Sequence, residues 1–240
     1  MSINPAERML SSLIAKAVQD FAMIAPGDRI LIAASGGKDS TALAFDFSRR
    51  VRYSRVPFEI EAVHIETELS PASVRPNLSR LFAEWEVPFH VIDFSVRERL
   101  KPGRKMNCYW CSTQRRTELI NFAVHNGFNK LALGHHLDDI IETLFMNMMQ
   151  KGEISTMIPV MPYRKYPLTI LRPLALVEER QIIRFIAGMN LEGSTCTCSY
   201  GDKSARKEIR ERIRLMTKDN SSVKRLIFRS LSKVNTEYLL

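Results

Sequence analysis

An apolar run that breaks off into two adjacent glycines constrains this chain more than any other feature. Ile30-Leu31-Ile32-Ala33-Ala34 runs straight into Ser35-Gly36-Gly37-Lys38-Asp39-Ser40-Thr41. The first half reads as a buried strand and the second as a turn into a helix. Neighbouring glycines let backbone amides converge with no Cβ in the way, and an anion placed there meets the N-terminus of the following helix. Lys38 adds a compact positive charge. Because the glycines touch and Asp39 follows the lysine, the usual P-loop spacing of Gly, four residues, then Gly-Lys-Ser/Thr fails. The turn predicts a phosphate site of another kind, with an ordinary strand-to-helix turn as the alternative.

The rest of the chain repeats this alternation. Strands are expected at 29–34, 58–65, 89–94, 130–133 and 168–171, with helices between them at 38–50, 76–85, from Ser112 to Gly127, at 140–149 and after the last strand at 178–188. Crossovers of this length imply an α/β fold, a doubly wound parallel five-stranded sheet covered on both faces. Leu10, Leu13, Ile14, Ala17, Val18 and Phe21 mark an N-terminal packing helix that Pro26-Gly27 ends. The expected organisation is a helix at 1–25, a nucleotide-binding domain at 26–195, and a cysteine motif with basic helices at 196–240. Ligands of such sheets sit at the carboxyl ends of the strands. Residues 35–40 and a second turn, Gly134-His135-His136-Leu137-Asp138-Asp139, both fall on that edge. Asp138 and Asp139 at a helix start can hold Mg²⁺ against phosphate oxygens, or simply cap the helix beside two solvated histidines. The methionines at 146, 148 and 149 read as core.

At 240 residues with net charge +9, the chain can bury a full core. The stretch 200–240 holds 11 Lys and Arg against 5 Asp and Glu, so +6 of the excess sits there. A basic face of this kind attracts a polyanion such as nucleic acid, with a solvated helical surface as the other reading. No apolar run approaches the roughly 20 residues that cross a bilayer, and no signal-peptide core is present, so a cytoplasmic, membrane-free protein is expected. All four cysteines come in close pairs, Cys108 with Cys111 and Cys196 with Cys198. Without a secretion signal this favours a metal site over disulfides, with zinc ahead of iron-sulfur on the residues alone and a redox pair or unpaired thiols as the other reading.

The order Ser-Gly-Gly-Lys-Asp-Ser resembles the PP-loop of the ATP pyrophosphatases, which split ATP into AMP and pyrophosphate, and Gly-His-His-Leu-Asp-Asp resembles their second signature. Cys108-Tyr-Trp-Cys111, Arg115-Arg116, Thr143-Leu-Phe-Met-Asn147 and Leu171-Arg172-Pro173-Leu174 narrow the likeness to the tRNA 2-thiocytidine synthetase group, over roughly residues 1–216. Lysidine synthetases share the loop but lack the cysteines. The resemblance implies an adenine nucleotide alpha hydrolase-like fold and ATP-dependent conversion of a tRNA cytidine to 2-thiocytidine. Its cofactors are ATP, Mg²⁺ and a [4Fe-4S] cluster held by three cysteines, with tRNA and a sulfur donor such as a cysteine desulfurase system as partners; a homodimer is compatible.

Residue by residue, the resemblance implies nucleotide contacts from Ser35, Gly36, Gly37, Lys38, Asp39, Ser40, Gly134, His135 and Asp138. It implies catalytic roles for Asp39, Asp139 and Arg115, and cluster ligation by Cys108, Cys111 and Cys198, with Cys196 as the alternative third ligand because the late motif here is Cys-x-Cys. Tyr109 and Trp110 beside such a cluster are read as shielding it from water, with stacking on a base as the alternative. Rival functions are another PP-loop thiolase or ligase acting on uridine or a small molecule, and a zinc-stabilised RNA-binding protein.

Overall fold

The computed structural model describes residues 4–101, 103, 105–189, 191 and 203–238. Helix α1 (Pro5–Asp20) opens the chain, with Pro5 in its first turn and the Asn4 side chain accepting the Ala6 N–H. Then follow β1 (Asp28–Ala33), α2 (Lys38–Tyr53), β2 (Phe58–Glu66), α3 (Val74–Glu84), β3 (Phe89–Asp93), α4 (Cys108–His125), β4 (Lys130–Ala132) and α5 (Leu137–Lys151). The chain continues with β5 (Val160–Tyr163), β6 (Leu168–Leu171), α6 (Glu179–Gly188), α7 (Lys203–Thr217) and α8 (Ser221–Ser230). Among the described residues no helix is long and apolar enough to cross a membrane.

The strands form one sheet in the order β3-β2-β1-β4-β6-β5, parallel except for β5. The fold is therefore the expected α/β one, but with six strands. The extra strand carries no clear sequence signal because Val160-Met161-Pro162-Tyr163 contains a proline, which normally argues against a strand. A proline is tolerated at a sheet edge, where one side of the backbone has no neighbour to bond, and β5 is that edge.

Period-2 alternation assigns each strand residue to a face. Ile30 and Ile32 of β1 join the larger core with α1, α2, α3 and α6, whereas Leu31 faces the second core with Ile120 and Ala123 of α4. A third cluster puts Leu137 and Ile141 of α5 against Ile209 and Ile213 of α7, with Phe228 of α8 beside them. The two basic helices are thus docked on the helix that follows the second signature turn. Met146 joins this cluster, but Met148 and Met149 are about half exposed, which corrects the core reading for those two. They fall on the solvent side of an amphipathic helix whose buried face is already supplied by Leu137, Ile141 and Leu144.

Candidate active site

Strand order reverses between β1 and β4: β1 leads out to β2 on one side, while β4 leads to β6 on the other. Such a switch point opens a crevice at the carboxyl ends of the two strands. Residues 35–37 follow β1 and residues 134–136 follow β4, so both glycine turns line this crevice. They touch: a Cβ on Gly134 would lie 2.9 Å from the Ser40 backbone nitrogen. Gly36 has φ +82°, and a Cβ there would meet Val74 at 2.5 Å, so only glycine fits.

The first turn has the form of an anion cradle. Gly37 caps α2 without any side-chain hydrogen bond, leaving the first amides of the helix available. Ser35 and Ser40 hold each other, Oγ to Oγ at 3.0 Å, and Ser35 Oγ accepts the Gly37 N–H. Lys38 Nζ donates to Asp39 Oδ2 at 3.1 Å and lies 2.9 Å from Glu179 Oε1. Burial alone would lower the Lys38 ammonium, but Glu179 and Asp39 outweigh it and hold its pKa above the ordinary value. Burial raises the Asp39 carboxyl despite the opposing charges of His136 and Lys38, with Asp139 adding to the rise.

The second turn is closed by a capping box. The buried His136 accepts the Asp139 N–H through Nδ1, while Asp139 Oδ2 accepts the His136 N–H at 3.1 Å. His136 Nε2 sits 3.5 Å from Asp139 and 3.9 Å from Asp39, between the two acids. Asp138 is committed elsewhere, accepting Lys224 Nζ of α8 at 2.6 Å and the Glu179 N–H at 2.7 Å. Burial pushes its carboxyl up, but these two donors more than reverse that.

Cys108 and Cys111 stand on the first turn of α4. The helix starts at Cys108 and not after Cys111, and Asn107 caps it in place of Ser112, accepting the Trp110 N–H at 2.8 Å. Three residues apart on a helix, the two thiols share one face. Arg115 donates to the carbonyl of Ile65 at the end of β2, tying this helix start to the same sheet edge as the two glycine turns. Cys196 and Cys198 lie outside the described residues. Among the described residues no three His, Cys, Asp or Glu side chains gather closely enough to hold a metal ion.

The PP-loop domain family ATP_bind_3 matches residues 6–216. The tRNA-cytidine(32) 2-sulfurtransferase of Geobacter metallireducens is 34% identical over 242 residues, covering 97% of this chain and 92% of that protein. The enzyme of the same name from Marinobacter nauticus is 31% identical, covering 100% and 80%. The chain belongs to the tRNA 2-thiocytidine synthetase group of PP-loop enzymes. A solved structure of the U34-tRNA thiolase NcsA from Methanococcus maripaludis with its [4Fe-4S] cluster superposes with a TM-score of 0.77, at 19% identity, over 97% of this chain and 80% of that one. At that identity the likeness shows the shared fold.

In this PP-loop enzyme the sequence signatures omitted several residues that the crevice contains. His136, not His135, stands between Asp39 and Asp139. Glu179 opens α6 and joins Lys38 to Arg210 of α7, which lies 3.6 Å from its other oxygen. Buried Glu142 pairs with Arg210 at 2.6 Å and Arg206 at 3.5 Å. Arg206 and Arg210 therefore latch the basic helices to α5, while Lys207, Arg225, Arg229 and Lys233 carry no ion pair among the described residues and are the exposed positive face. No local sequence signal could pair Glu142 with charges more than 60 positions away.

His135 makes a testable contribution to stability. Burial lowers its pKa to about 4, with Asp139 opposing and Arg172, Arg116 and Arg206 adding to the drop. A histidine depressed in the folded state takes its proton first when unfolded. Its contribution is complete above the ordinary value of 6.5 and is lost as pH falls toward about 4. Urea unfolding at pH 7 and pH 5 should differ by up to about 2 kcal/mol from this group. His135→Gln should flatten that difference, and an unchanged pH slope in the variant would assign it to other groups.

Proposed function

We propose that this enzyme thiolates a cytidine of tRNA at its 2-position, with adenylation by ATP and sulfur delivery from a three-cysteine [4Fe-4S] cluster. The observation that carries the reading is the meeting, on one sheet edge, of an anion-ready glycine turn and the helix start bearing Cys108 and Cys111. The chemistry needs both. A pyrimidine carbonyl carbon is a poor electrophile and oxide a poor leaving group. Attack of the cytidine 2-oxygen on the α-phosphorus of ATP expels pyrophosphate and turns that oxygen into the leaving group of AMP. Sulfide then adds at the carbon, and AMP departs with the oxygen.

The residues of the crevice suit these steps. The amides of residues 38–40 and the Lys38 ammonium would hold the β- and γ-phosphates, and Ser35 and Ser40 brace the turn. Asp39 and Asp139 would hold Mg²⁺ with phosphate oxygens, with His136 lying near both. Asp138 positions α8 and Glu179 rather than touching a nucleotide directly. Arg115, on the same helix as the two cysteines and anchored on β2, presents a fixed positive charge one turn beyond Cys111. The shared face of Cys108 and Cys111 at a helix N-terminus suits an anionic thiolate-bound cluster. When bound, a cluster with one iron lacking a thiolate supplies the coordination position from which sulfur is delivered.

The exposed charge of Lys207, Arg225, Arg229 and Lys233 fits a tRNA backbone. Anaerobically purified protein with ATP, Mg²⁺, sulfide and tRNA should convert cytidine to 2-thiocytidine on nucleoside analysis. Appearance of 2-thiouridine instead would move the enzyme to the uridine thiolases. Zinc in place of iron and acid-labile sulfide would favour a structural metal and an RNA-binding role.

A further inference from the structure

We propose that Tyr109 and Trp110, with Lys101 and Lys105, form a subsite that stacks an unpaired nucleobase of the tRNA loop beside the reacting cytidine. The inference rests on the function proposed above and assigns a site to it. A cavity of about 340 Å³ opens next to the cysteine turn, lined by Leu100, Lys101, Lys105, Asn107, Tyr109 and Trp110. Its walls are mainly apolar and aromatic, with two cations and an amide at the edge. That is the composition expected of a pocket for a flat base on a phosphate strand.

Neither aromatic serves the core. Tyr109 is 82% exposed, although it sits one residue from a cysteine in the first turn of α4. A ring that exposed excludes little water from its neighbours, which weighs against the shielding role expected of it. Its backbone is held firmly, because its carbonyl accepts Ser112 Oγ at 3.0 Å and Thr113 Oγ1 at 2.8 Å. Trp110 is half-buried in the cavity wall, and its indole Nε1 is buried with no acceptor. That N–H is enclosed, so what the cavity offers a base is the ring surface of the two aromatics. Lys101 and Lys105 form no ion pair among the described residues, so both ammoniums are available to flanking phosphates.

Position selects the ligand. The subsite shares a helical turn with Cys108 and Cys111, so a base held there is next to the base being thiolated. Loop nucleotides are unpaired and can be splayed onto aromatic rings, whereas a duplex cannot present a base face.

The test uses the full chain with its cluster reconstituted anaerobically. The probes are an RNA stem-loop with a cytidine in its loop and versions lacking the base at each position flanking that cytidine. Wild-type protein should bind one abasic loop roughly 10-fold more weakly than the intact loop, the range of a single base–aromatic stack. RNA binding should also quench tryptophan emission, for which the buried Trp85 provides a constant background. In Tyr109→Ala, intact and abasic loops should bind alike with the visible absorption of the cluster unchanged. Trp110→Phe should remove the quenching. The proposal is overturned if wild-type protein does not distinguish abasic loops, or if Tyr109→Ala bleaches the cluster while keeping the discrimination. Thiolation is read separately by nucleoside analysis. Base discrimination without 2-thiocytidine would sink the proposed activity and leave the subsite standing.

Discussion

Replacing Asp39 by Ala should lower release of AMP and pyrophosphate from ATP and tRNA by at least roughly 100-fold, the usual cost of removing one preorganised group from a charge-stabilising site. In the proposed site Asp39 and Asp139 share the cation, so Asp139 alone cannot supply both carboxylates. Asp39 lies against Lys38 on one side and His136 on the other, and the nearby Asp139 is already engaged with the His136 N–H. Stability should move the other way. Because burial holds the Asp39 carboxyl above its ordinary pKa, its charge is tolerated in the fold at a cost, and the isosteric Asp39→Asn should melt at the same temperature or higher at pH 7. Loss of activity with intact stability separates a chemical role from a structural one. Formation of ADP and phosphate by the wild-type protein would remove the pyrophosphatase assignment altogether.

The second large effect is on the cluster. Changing Cys108, Cys111 or Cys198 to Ser, one at a time, should abolish the broad visible absorption after anaerobic reconstitution and all thiolation, whereas Cys196→Ser should keep both. A cluster with a thiolate on every iron has nowhere to take up sulfide, so the proposed chemistry calls for three ligands and one open iron. In an extended segment, side chains two apart share a face and residues one apart oppose each other. Cys196 and Cys198 could then both face one way, so the choice of Cys198 rests on the register that the family resemblance implies and not on strand geometry. The helix itself should survive the substitutions at 108 and 111, because its cap is Asn107 and its core-packing residues begin at Leu119. Far-ultraviolet circular dichroism should therefore be unchanged. If Cys196→Ser loses the cluster and Cys198→Ser keeps it, the register shifts and the mechanism holds; a need for all four would end the open-iron mechanism.

Much of this protein was legible in its sequence because the deciding signals are local. Apolar runs ending in glycine define β1 and its turn, since a buried parallel strand and a close backbone approach each impose their residue types over a few positions. The same holds for the Gly-His-His-Leu-Asp-Asp turn and the cysteine pair. Local rules failed where a neighbour far along the chain overrides them. A proline hides β5 until its edge position is known, and Asn107 caps α4 although Ser112 offers an equally good side chain. No spacing rule pairs Asp138 with Lys224, 2.6 Å away, or Arg206 and Arg210 of the basic helices with Glu142. Charge pairing depends on distance in space and on burial, neither of which spacing in the chain encodes. The sequence by itself determined the α/β class, the two glycine turns and the residue types of the chemistry. Only the tertiary structure decided which charged groups those turns leave available, because each is set by a partner folded in from elsewhere.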